Sequence, residues 1–321
     1  MVQIFLIALA AGGAAALLFA SVASGALLAM ILFYLAPLPI MIAALGWSHL
    51  SGLIAALVAA SGLGLIFGPF FFTAFLFGVG LPAWWLGYLA LLARADVNGA
   101  LEWYPPGRLV VWAAIVGAFI VTVAIVNFGL DEEAFHSGLR AAFERVLRAQ
   151  TGTAADAPLV VPGVSDAGRL LDVLVAVIPP TAAVLSTLTN LVNLWLAGRI
   201  VGISGRLKRP WPELSAMTFP AYAPVLLGLA VAATFAPGLV GVLGGILTAS
   251  LLMAYAVLGF AVVHALTRGI NARGLVLGGI YGAVILFGWP MLAMTLLGLA
   301  ETAFGFRGRI GQRPPPPATH T

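Results

Sequence analysis

The first ninety-three residues of the chain contain no Asp, Glu, Lys or Arg. A water-soluble domain of that length needs charged residues on its surface, whereas a charge at the centre of a bilayer costs about 2.5–3.5 kcal/mol on insertion scales. Over the whole chain 62% of the residues are hydrophobic and 8% are charged, against about 25% charged in ordinary globular proteins. The sequence therefore predicts an all-α polytopic membrane protein embedded in a lipid bilayer.

Apolar segments long enough to cross a bilayer recur along the whole chain. A membrane-spanning helix needs about 20 apolar residues, and nine segments approach that length, so we expect a bundle of eight to ten spans. The sixth is expected to be interrupted at Pro179-Pro180, because proline removes a backbone donor and clashes with the preceding turn. The nine segments run approximately over residues 4–20, 24–45, 50–67, 70–93, 108–130, 170–197, 214–236, 239–266 and 275–300.

The spacing of these segments divides the chain into four regions. Residues 1–130 form an N-terminal membrane region of five spans, and residues 170–302 form a C-terminal region of four. Residues 131–169 between them are expected to hold an amphipathic helix followed by an aperiodic loop. The Arg- and Pro-rich segment 303–321 is expected to be a disordered tail, because consecutive prolines favour an extended, unpacked chain.

The segment 131–150 has the pattern of a helix at the membrane interface. Phe135, Leu139 and Phe143 fall on one helical face, and the charged residues lie around the rest of it. Asp131 is a suitable N-cap, since its side chain can accept a hydrogen bond from a free backbone N–H of the first turn. A helix of this kind lies in the interface or over the bundle rather than across the membrane.

The cations between the predicted spans indicate the orientation of the chain. Cytoplasmic loops are enriched in Lys and Arg, and the loop after the sixth span contains Arg199, Arg206, Lys208 and Arg209. Placing this loop in the cytoplasm puts the N-terminus there too and the amphipathic helix outside. Nine crossings then place the arginines of the C-terminal tail outside, which conflicts with the same rule.

Small residues recur at helical spacing on several predicted spans. Glycine or alanine four residues apart lets two helix backbones approach closely, where lipid supplies no hydrophobic force between them. We favour packing within the chain as their role, and a docking face for a partner subunit is the alternative. The residues concerned are Ala10, Ala14, Gly64, Gly68, Gly241, Gly245, Gly274, Gly278 and Gly282.

Two asparagines form the main polar feature within a predicted span. Asn190 and Asn193 are three residues apart, so both amides project from one helical face, and Trp195 follows them. An amide in lipid is costly unless it is paired, so this face should look into the bundle. Interhelical hydrogen bonding is the favoured role, and the polar lining of a substrate cavity, formed by these three residues, is the alternative.

No ionisable residue lies at the centre of a predicted span, where catalysis or ion coupling would require one. Four scattered histidines and no cysteine give no set of metal ligands. We therefore expect no catalytic residue, metal or cofactor. The positive charges are not gathered on one face, so nucleic acid is not an expected partner. The chain also lacks the Gly-x-x-x-x-Gly-Lys loop that binds nucleotide phosphates.

One short motif has the form of a protease site. Gly202-Ile203-Ser204-Gly205 matches the Gly-x-Ser-Gly pattern of rhomboid-type intramembrane serine proteases, with His264 as a candidate base. This chemistry needs the hydroxyl within hydrogen-bond reach of the imidazole, below the membrane surface. Because Ser204 lies in the Arg-rich loop, an intramembrane protease is the least favoured function.

Seven short stretches occur in a recognisable order, although none is specific alone. They are Leu-Ala-Pro-Leu-Pro-Ile at 35–40, Gly-Leu at 52–53, Gly-Leu-Pro at 80–82 with Leu-Gly-Tyr at 86–88, Asn190 with Asn193 and Arg199, Arg-Pro-Trp-Pro at 209–212, Gly-Phe-Ala-Val-Val-His at 259–264, and Leu-Gly-Leu-Ala-Glu at 297–301 with Phe-Gly-Phe-Arg at 304–307. In this order the chain resembles the YybS-like predicted membrane proteins, a bacterial family without an assigned biochemical role. The resemblance implies a bacterial inner-membrane location.

The N-terminal half in turn is similar to the S components of energy-coupling factor vitamin transporters. Those proteins bind a small solute and dock on a transmembrane partner through small residues of their first helix, so the resemblance implies that Ala10 and Ala14 form a docking face. The leading hypothesis is a small-molecule binding or transport subunit without its own energy source. A scaffolding membrane protein that acts through helix–helix contacts is the alternative.

Overall fold

The computed structural model describes residues 2–126, 129, 131–154 and 156–310, which form a helical bundle with one small hairpin. The helices are α1 (Val2–Ala20), α2 (Leu27–Tyr34), α3 (Pro37–Gly46), α4 (His49–Phe67), α5 (Pro69–Phe75), α6 (Leu81–Ala90), α7 (Pro106–Val126), α8 (Glu132–Thr151), α9 (Ala167–Ile203), α10 (Ala223–Ala233), α11 (Leu239–Leu266), α12 (Arg273–Phe287), α13 (Pro290–Phe304) and α14 (Phe306–Ile310). The strands are β1 (Ala93–Ala95) and β2 (Leu101–Trp103). A π-helical turn, Leu76–Gly80, joins α5 to α6.

In the described part of the chain, seven helical segments are long and apolar enough to cross a membrane. They correspond to seven of the nine predicted spans, which confirms the polytopic all-α prediction. The predicted end of the fifth span, residue 130, lies outside the described residues. The segments are Val2–Ser24, Leu27–Gly46, His49–Phe67, Pro69–Ala90, Pro106–Ile125, Ala167–Ile203 and Leu239–Leu266.

The predicted seventh and ninth spans are shorter helices instead. Only α10 is a regular α-helix within 214–236, and it begins beside Pro224 after an irregular stretch. Within 275–300, Gly288 has a φ of 72° and ends α12, after which Pro290 starts α13 at a position that needs no N–H donor. Apolar length alone does not register these breaks, so the sequence overestimates the number of long helices.

Prolines break one predicted span but not another. In the second span, Leu35 and Ala36 form a turn between α2 and α3, and Pro37 begins α3. Pro179 and Pro180, by contrast, lie inside α9, which continues unbroken for 37 residues. The predicted interruption is therefore wrong. Unwinding the chain in lipid would leave further backbone groups without partners, so the helix persists despite the two missing donors.

The polar loop after α6 is a two-stranded antiparallel hairpin, which the sequence analysis does not predict. Arg94 pairs with Glu102 across the strands, and their side chains form an exposed ion pair. The carboxylate of Asp96 accepts hydrogen bonds from the N–H groups of Asn98 and Ala100, which closes the turn. α6, α9 and α11 end near this hairpin and α7 begins there, so we call this the hairpin end of the bundle.

The amphipathic helix forms as predicted. The Asp131 side chain caps α8 by accepting a hydrogen bond from the Ala134 N–H at 2.7 Å. Phe135 and Leu139 are buried in a cluster with residues of α7, α9 and α11. Arg140 also forms an exposed ion pair with Asp172 of α9, at the end opposite the hairpin.

The start of the predicted disordered tail is helical. α13 continues to Phe304, Gly305 turns the chain with a φ of 60°, and α14 follows. The Arg307 guanidinium on α14 donates to the Glu301 carboxylate at 2.8 Å, which attaches α14 to α13. The proline run at 314–317 lies outside the described residues.

Close helix crossings occur at glycines, but mostly not at the predicted ones. A Cβ at Gly12 would lie 2.7 Å from the Ala55 carbonyl oxygen of α4. One at Gly259 or Gly298 would overlap backbone where α11 crosses α13. These positions allow the helix backbones to touch directly.

The predicted small residues divide into three groups. An added Cβ would lie 2.8 Å from the Phe72 Cβ atom at Gly64 and 2.4 Å from the Ala236 carbonyl oxygen at Gly241, and both neighbours are within eight residues in sequence. Gly68 ends α4 with a φ of 100°. An added Cβ would meet nothing within 4 Å at Gly68 or at four further glycines, and two alanines of α1 are exposed. These six are Gly245, Gly274, Gly278, Gly282, Ala10 and Ala14.

Candidate functional site

A cavity of about 690 Å³ opens at the hairpin end of the bundle. Its walls come from the start of α7, the last third of α9, the last turns of α11, and the chain between α9 and α10. The lining residues are Leu45, Ala90, Pro106, Leu109, Val110, Leu191, Leu194, Trp195, Gly198, Leu207, Arg209, Trp211, Pro212, Glu213, Leu214, Ser215, Met217, Val257, Phe260, Ala261, His264 and Tyr281.

The cavity wall is mostly apolar, with a few polar groups around it. Leu194 and Trp195 follow Leu191 on α9 by three and four residues, about one turn, so the three side chains present one continuous apolar face. Val257 and Ala261 of α11 line the cavity as well. An apolar wall of this extent with few polar groups is the usual composition of a small-molecule site.

Arg209 is the buried cation of the cavity. Its side chain is only 9% exposed, and it donates hydrogen bonds to the carbonyls of Ala90 at 2.9 Å and Tyr104 at 3.3 Å. The Ala90 carbonyl belongs to the last turn of α6, where backbone acceptors are free and the helix dipole is negative. Arg209 thereby joins the loop to α6 and to the end of the hairpin.

The charge of Arg209 has no carboxylate partner among the described residues. Its nearest aromatic contact is the ring of Trp103, whose centroid lies 6.0 Å from the guanidinium carbon. The Nε atom is buried and has no hydrogen-bond partner in the part of the chain that the structure describes. Burial lowers the pKa of the Arg209 guanidinium from its ordinary value, yet arginine remains protonated at any physiological pH.

Two tryptophans and a second arginine flank the cavity. Trp195 is 48% exposed, and Trp211 lies beneath the guanidinium of Arg199 at 5.1 Å from the ring centroid. A smaller adjoining cavity of about 380 Å³ is lined by Arg199 and again by Arg209 and Trp211. Arg209 and Trp211 therefore lie between two cavities of unequal size.

The segment 211–217 forms one side of the cavity and is held by two arginines. Arg268, after α11, contacts the Glu213 carboxylate and the Ser215 hydroxyl. Arg307 of α14 donates to the backbone carbonyls of Ser215 and Met217. Because Glu301 orients Arg307, this wall of the cavity depends on the C-terminal helices.

His264 lies at the rim of the cavity in a polar cluster. Its Nε2 atom is 2.9 Å from the Tyr281 hydroxyl of α12, and its Nδ1 atom is 3.5 Å from the Arg273 guanidinium. The Arg273 guanidinium also lies 3.4 Å from the His264 backbone carbonyl. These contacts attach α12 to the end of α11.

The predicted asparagines lie on α9 and are almost fully buried. The Asn193 amide donates to the carbonyls of Tyr34 and Thr189, both at 2.8 Å, and the Asn190 amide donates to the Ser186 carbonyl of its own helix. Neither lines the cavity, whereas Trp195 does. Their Oδ1 atoms are buried without a partner in the described chain, so the substrate-binding alternative for them stays a prediction.

The protease motif is not assembled as catalysis would require. The Ser204 hydroxyl donates to the Val201 carbonyl of α9, while the His264 ring contacts Tyr281 and Arg273. No group of three or more His, Cys, Asp or Glu residues that could hold a metal ion occurs in the described residues.

The cations of the predicted topology signal differ in their surroundings. Arg206 is exposed and stacks over Trp47 at 4.6 Å from the ring centroid, and Lys208 is exposed as well. Arg209 is buried at the cavity. In the sequence Arg209 is one of four cations in a loop, and only its position at the start of Arg-Pro-Trp-Pro sets it apart from the other three.

Comparison with known proteins gives one match. Residues 13–302 match the model of a family described as "Predicted membrane protein (DUF2232)". Neither a curated protein nor a solved structure matches the chain. The family model spans both membrane regions and the amphipathic helix between them, and this chain therefore belongs to that family of predicted membrane proteins.

Proposed function

We propose that this protein is a membrane-embedded subunit that binds or transports a small, largely apolar solute in the cavity at the hairpin end. One observation carries the proposal: an open cavity of about 690 Å³ lined mainly by apolar side chains, within the roughly 300–1,000 Å³ usual for small-molecule sites. The few polar groups around it would orient the solute.

The energy for any transport would come from a partner subunit. The sequence contains no nucleotide-binding loop and no carboxylate at the centre of a span. Ala10 and Ala14 are exposed on α1, which supports, together with the resemblance to S components, their role as a docking face. In this proposal the bacterial inner membrane is the location and α1 faces the partner.

The asparagines support the cavity rather than touch the solute in this proposal. α9 carries Leu191, Leu194 and Trp195 on its cavity face, and the Asn193 amide holds the same helix against Tyr34. Loss of that hydrogen bond would move the apolar wall.

A scaffolding role is the second candidate, and the open glycines of α12 favour it. Gly274, Gly278 and Gly282 recur at four-residue intervals, and apart from the adjoining backbone of α12 a Cβ added at any of them would meet no described atom within 4 Å. A partner helix could approach this face closely.

A cavity-filling substitution tests the binding function. Ala261→Trp would occupy the cavity, and Leu275→Trp is the matched control, because Leu275 is 80% exposed on α12 and does not line the cavity. Each variant is purified in neutral detergent, and native mass spectrometry measures co-purified molecules and added dodecan-1-ol.

We expect Ala261→Trp to lose the bound molecule and Leu275→Trp to retain it. Equal occupancy in the two folded variants would refute the cavity as the site. A stable protein complex recovered from membranes without any bound solute would favour the scaffolding role instead.

A further inference from the structure

We infer that the solute is an amphipathic anion, with a carboxylate or phosphate group bound at Arg209 and an alkyl part along the apolar faces of α9 and α11. This inference rests on the proposed function and adds the charge class of the ligand. Its basis is the position of one buried, unneutralised guanidinium in the wall of an apolar cavity.

The hydrogen-bonding capacity of Arg209 is only partly used. A guanidinium carries five N–H donors in a fixed planar arrangement, and Arg209 makes two hydrogen bonds, both to backbone carbonyls, in the described chain. The buried Nε–H group has no acceptor there. The second hydrogens of Nη1 and Nη2 remain for the oxygens of a carboxylate or phosphate, which arginine binds with two parallel hydrogen bonds.

Burial makes the charge itself a reason to expect an anion. Removing a cation from water is costly unless an opposite charge or several hydrogen bonds compensate. The carbonyl of Ala90 and the face of Trp103 supply partial negative charge only. An anionic group beside Arg209 would offset the remaining desolvation cost, whereas a neutral ligand of the same shape would not.

Among the described residues, one carboxylate lines the cavity, and it is already paired. Glu213 contacts Arg268 and is more than half exposed, so it is screened by solvent and does not neutralise Arg209. On the other side Arg199 lines the adjoining cavity, over Trp211. The unpaired charge around the two cavities is therefore positive.

The remaining wall fits an alkyl chain. Leu191, Leu194 and Val257 offer no hydrogen bonds from their side chains, and they line the same cavity as Arg209. A ligand that satisfies both parts of the wall has a charged head and an apolar body. Free fatty-acid-like amphiphiles and anionic membrane lipids share this chemistry.

Matched ligand pairs test the inference in the full-length protein in neutral detergent, with native mass spectrometry as the readout. Dodecanoate is compared with dodecan-1-ol, which has the same chain and no charge. Phosphatidylglycerol is compared with phosphatidylcholine, which separates a membrane lipid from a free amphiphile. In at least one pair we expect the anion to bind roughly tenfold more tightly than the neutral ligand. A gain in affinity of this size is what one hydrogen-bonded charge pair contributes.

The variant Arg209→Gln should lose the preference for the anion over the neutral ligand, and Arg206→Gln should keep it. Arg206 belongs to the same loop but is exposed and lines neither cavity. The inference is supported if the wild-type protein prefers the anion and Arg209→Gln abolishes that preference. If Arg209→Gln does not fold, the wild-type protein decides: equal binding within both pairs overturns the inference.

The outcomes for this inference and for the proposed function are distinct. If dodecan-1-ol and dodecanoate bind equally well and Ala261→Trp blocks both, the cavity binds solute and only the anionic class is wrong. If no ligand binds, or Ala261→Trp changes nothing, the proposed function fails as well.

Discussion

The side-chain amide of Asn193 on α9 donates a 2.8 Å hydrogen bond to the carbonyl of Tyr34, the last residue of α2. The chain turns immediately after Tyr34, and Pro37 supplies no N–H. The N–H of Leu38 donates to Leu35 instead. Asn193 therefore pairs a carbonyl that the proline break leaves available, and it links helices 159 residues apart in sequence.

We predict that Asn193→Leu destabilises the protein by about 1–3 kcal/mol, the cost of leaving the partly buried Tyr34 carbonyl without a partner. Asn190→Leu is the matched control, because within the described part of the chain its amide donates only to the Ser186 carbonyl of the same helix. Thermal unfolding in neutral detergent measures both. An equal loss of stability in the two variants would contradict the interhelical role. Loss of solute binding by a stable Asn190→Leu protein would favour the substrate-binding alternative.

Residues whose effect is local were the most predictable part of the fold. The ends of α11 and the Asp131 cap follow from the apolar run and from one side chain with its nearest backbone groups. The breaks at Gly288 and Pro290 depend on a single positive φ inside an apolar stretch. Gly288 and Pro290 are visible in the sequence, but the mean hydropathy of the segment does not reveal that they end one helix and begin another.

The candidate site was less predictable, because it depends on contacts between distant segments. Arg209 reads as a topology signal in sequence, and its burial results from the carbonyls of Ala90 and Tyr104, more than a hundred residues earlier. Trp195 was predicted as a site residue and lines the cavity, while the neighbouring Asn193 turns toward α2. Helical spacing identifies a polar face without indicating what lies opposite it.

Gly259→Ala and Gly298→Ala are predicted to destabilise the crossing of α11 and α13. A Cβ at either position would overlap a backbone carbonyl, of Met294 or Tyr255, and backbone cannot rotate away as a side chain can. Overpacking of this kind costs about 1–3 kcal/mol.

The control for these glycine variants is Gly278→Ala on α12, where an added Cβ meets nothing within 4 Å. Alanine favours a helix over glycine by up to about 1 kcal/mol, so this variant should unfold at the same or a higher temperature. A melting temperature lowered equally by all three substitutions would show that helix crossing is not the cause.

The ion pair of Arg307 with Glu301 is predicted to hold the cavity segment 211–217. Both side chains are largely buried, and removing one partner of a buried pair costs about 3–5 kcal/mol. Arg307→Met should lower the melting temperature and expose this segment to added protease, since Arg307 also binds the carbonyls of Ser215 and Met217. Glu301→Gln should cause a smaller loss. Unchanged protease resistance in Arg307→Met would contradict the proposed restraint.

The orientation of the bundle can be tested directly because the chain contains no cysteine. The seven long helices place the tip of the hairpin and the Arg-rich loop at one end and α8 at the other. The excess of cations in the loop predicts that this end is cytoplasmic. We therefore expect Asn98→Cys and Lys208→Cys to react with a membrane-impermeant maleimide only after the cells are opened. Ser137→Cys on the exposed face of α8 should react in intact cells, and labelling of Lys208→Cys in intact cells would reverse the predicted orientation.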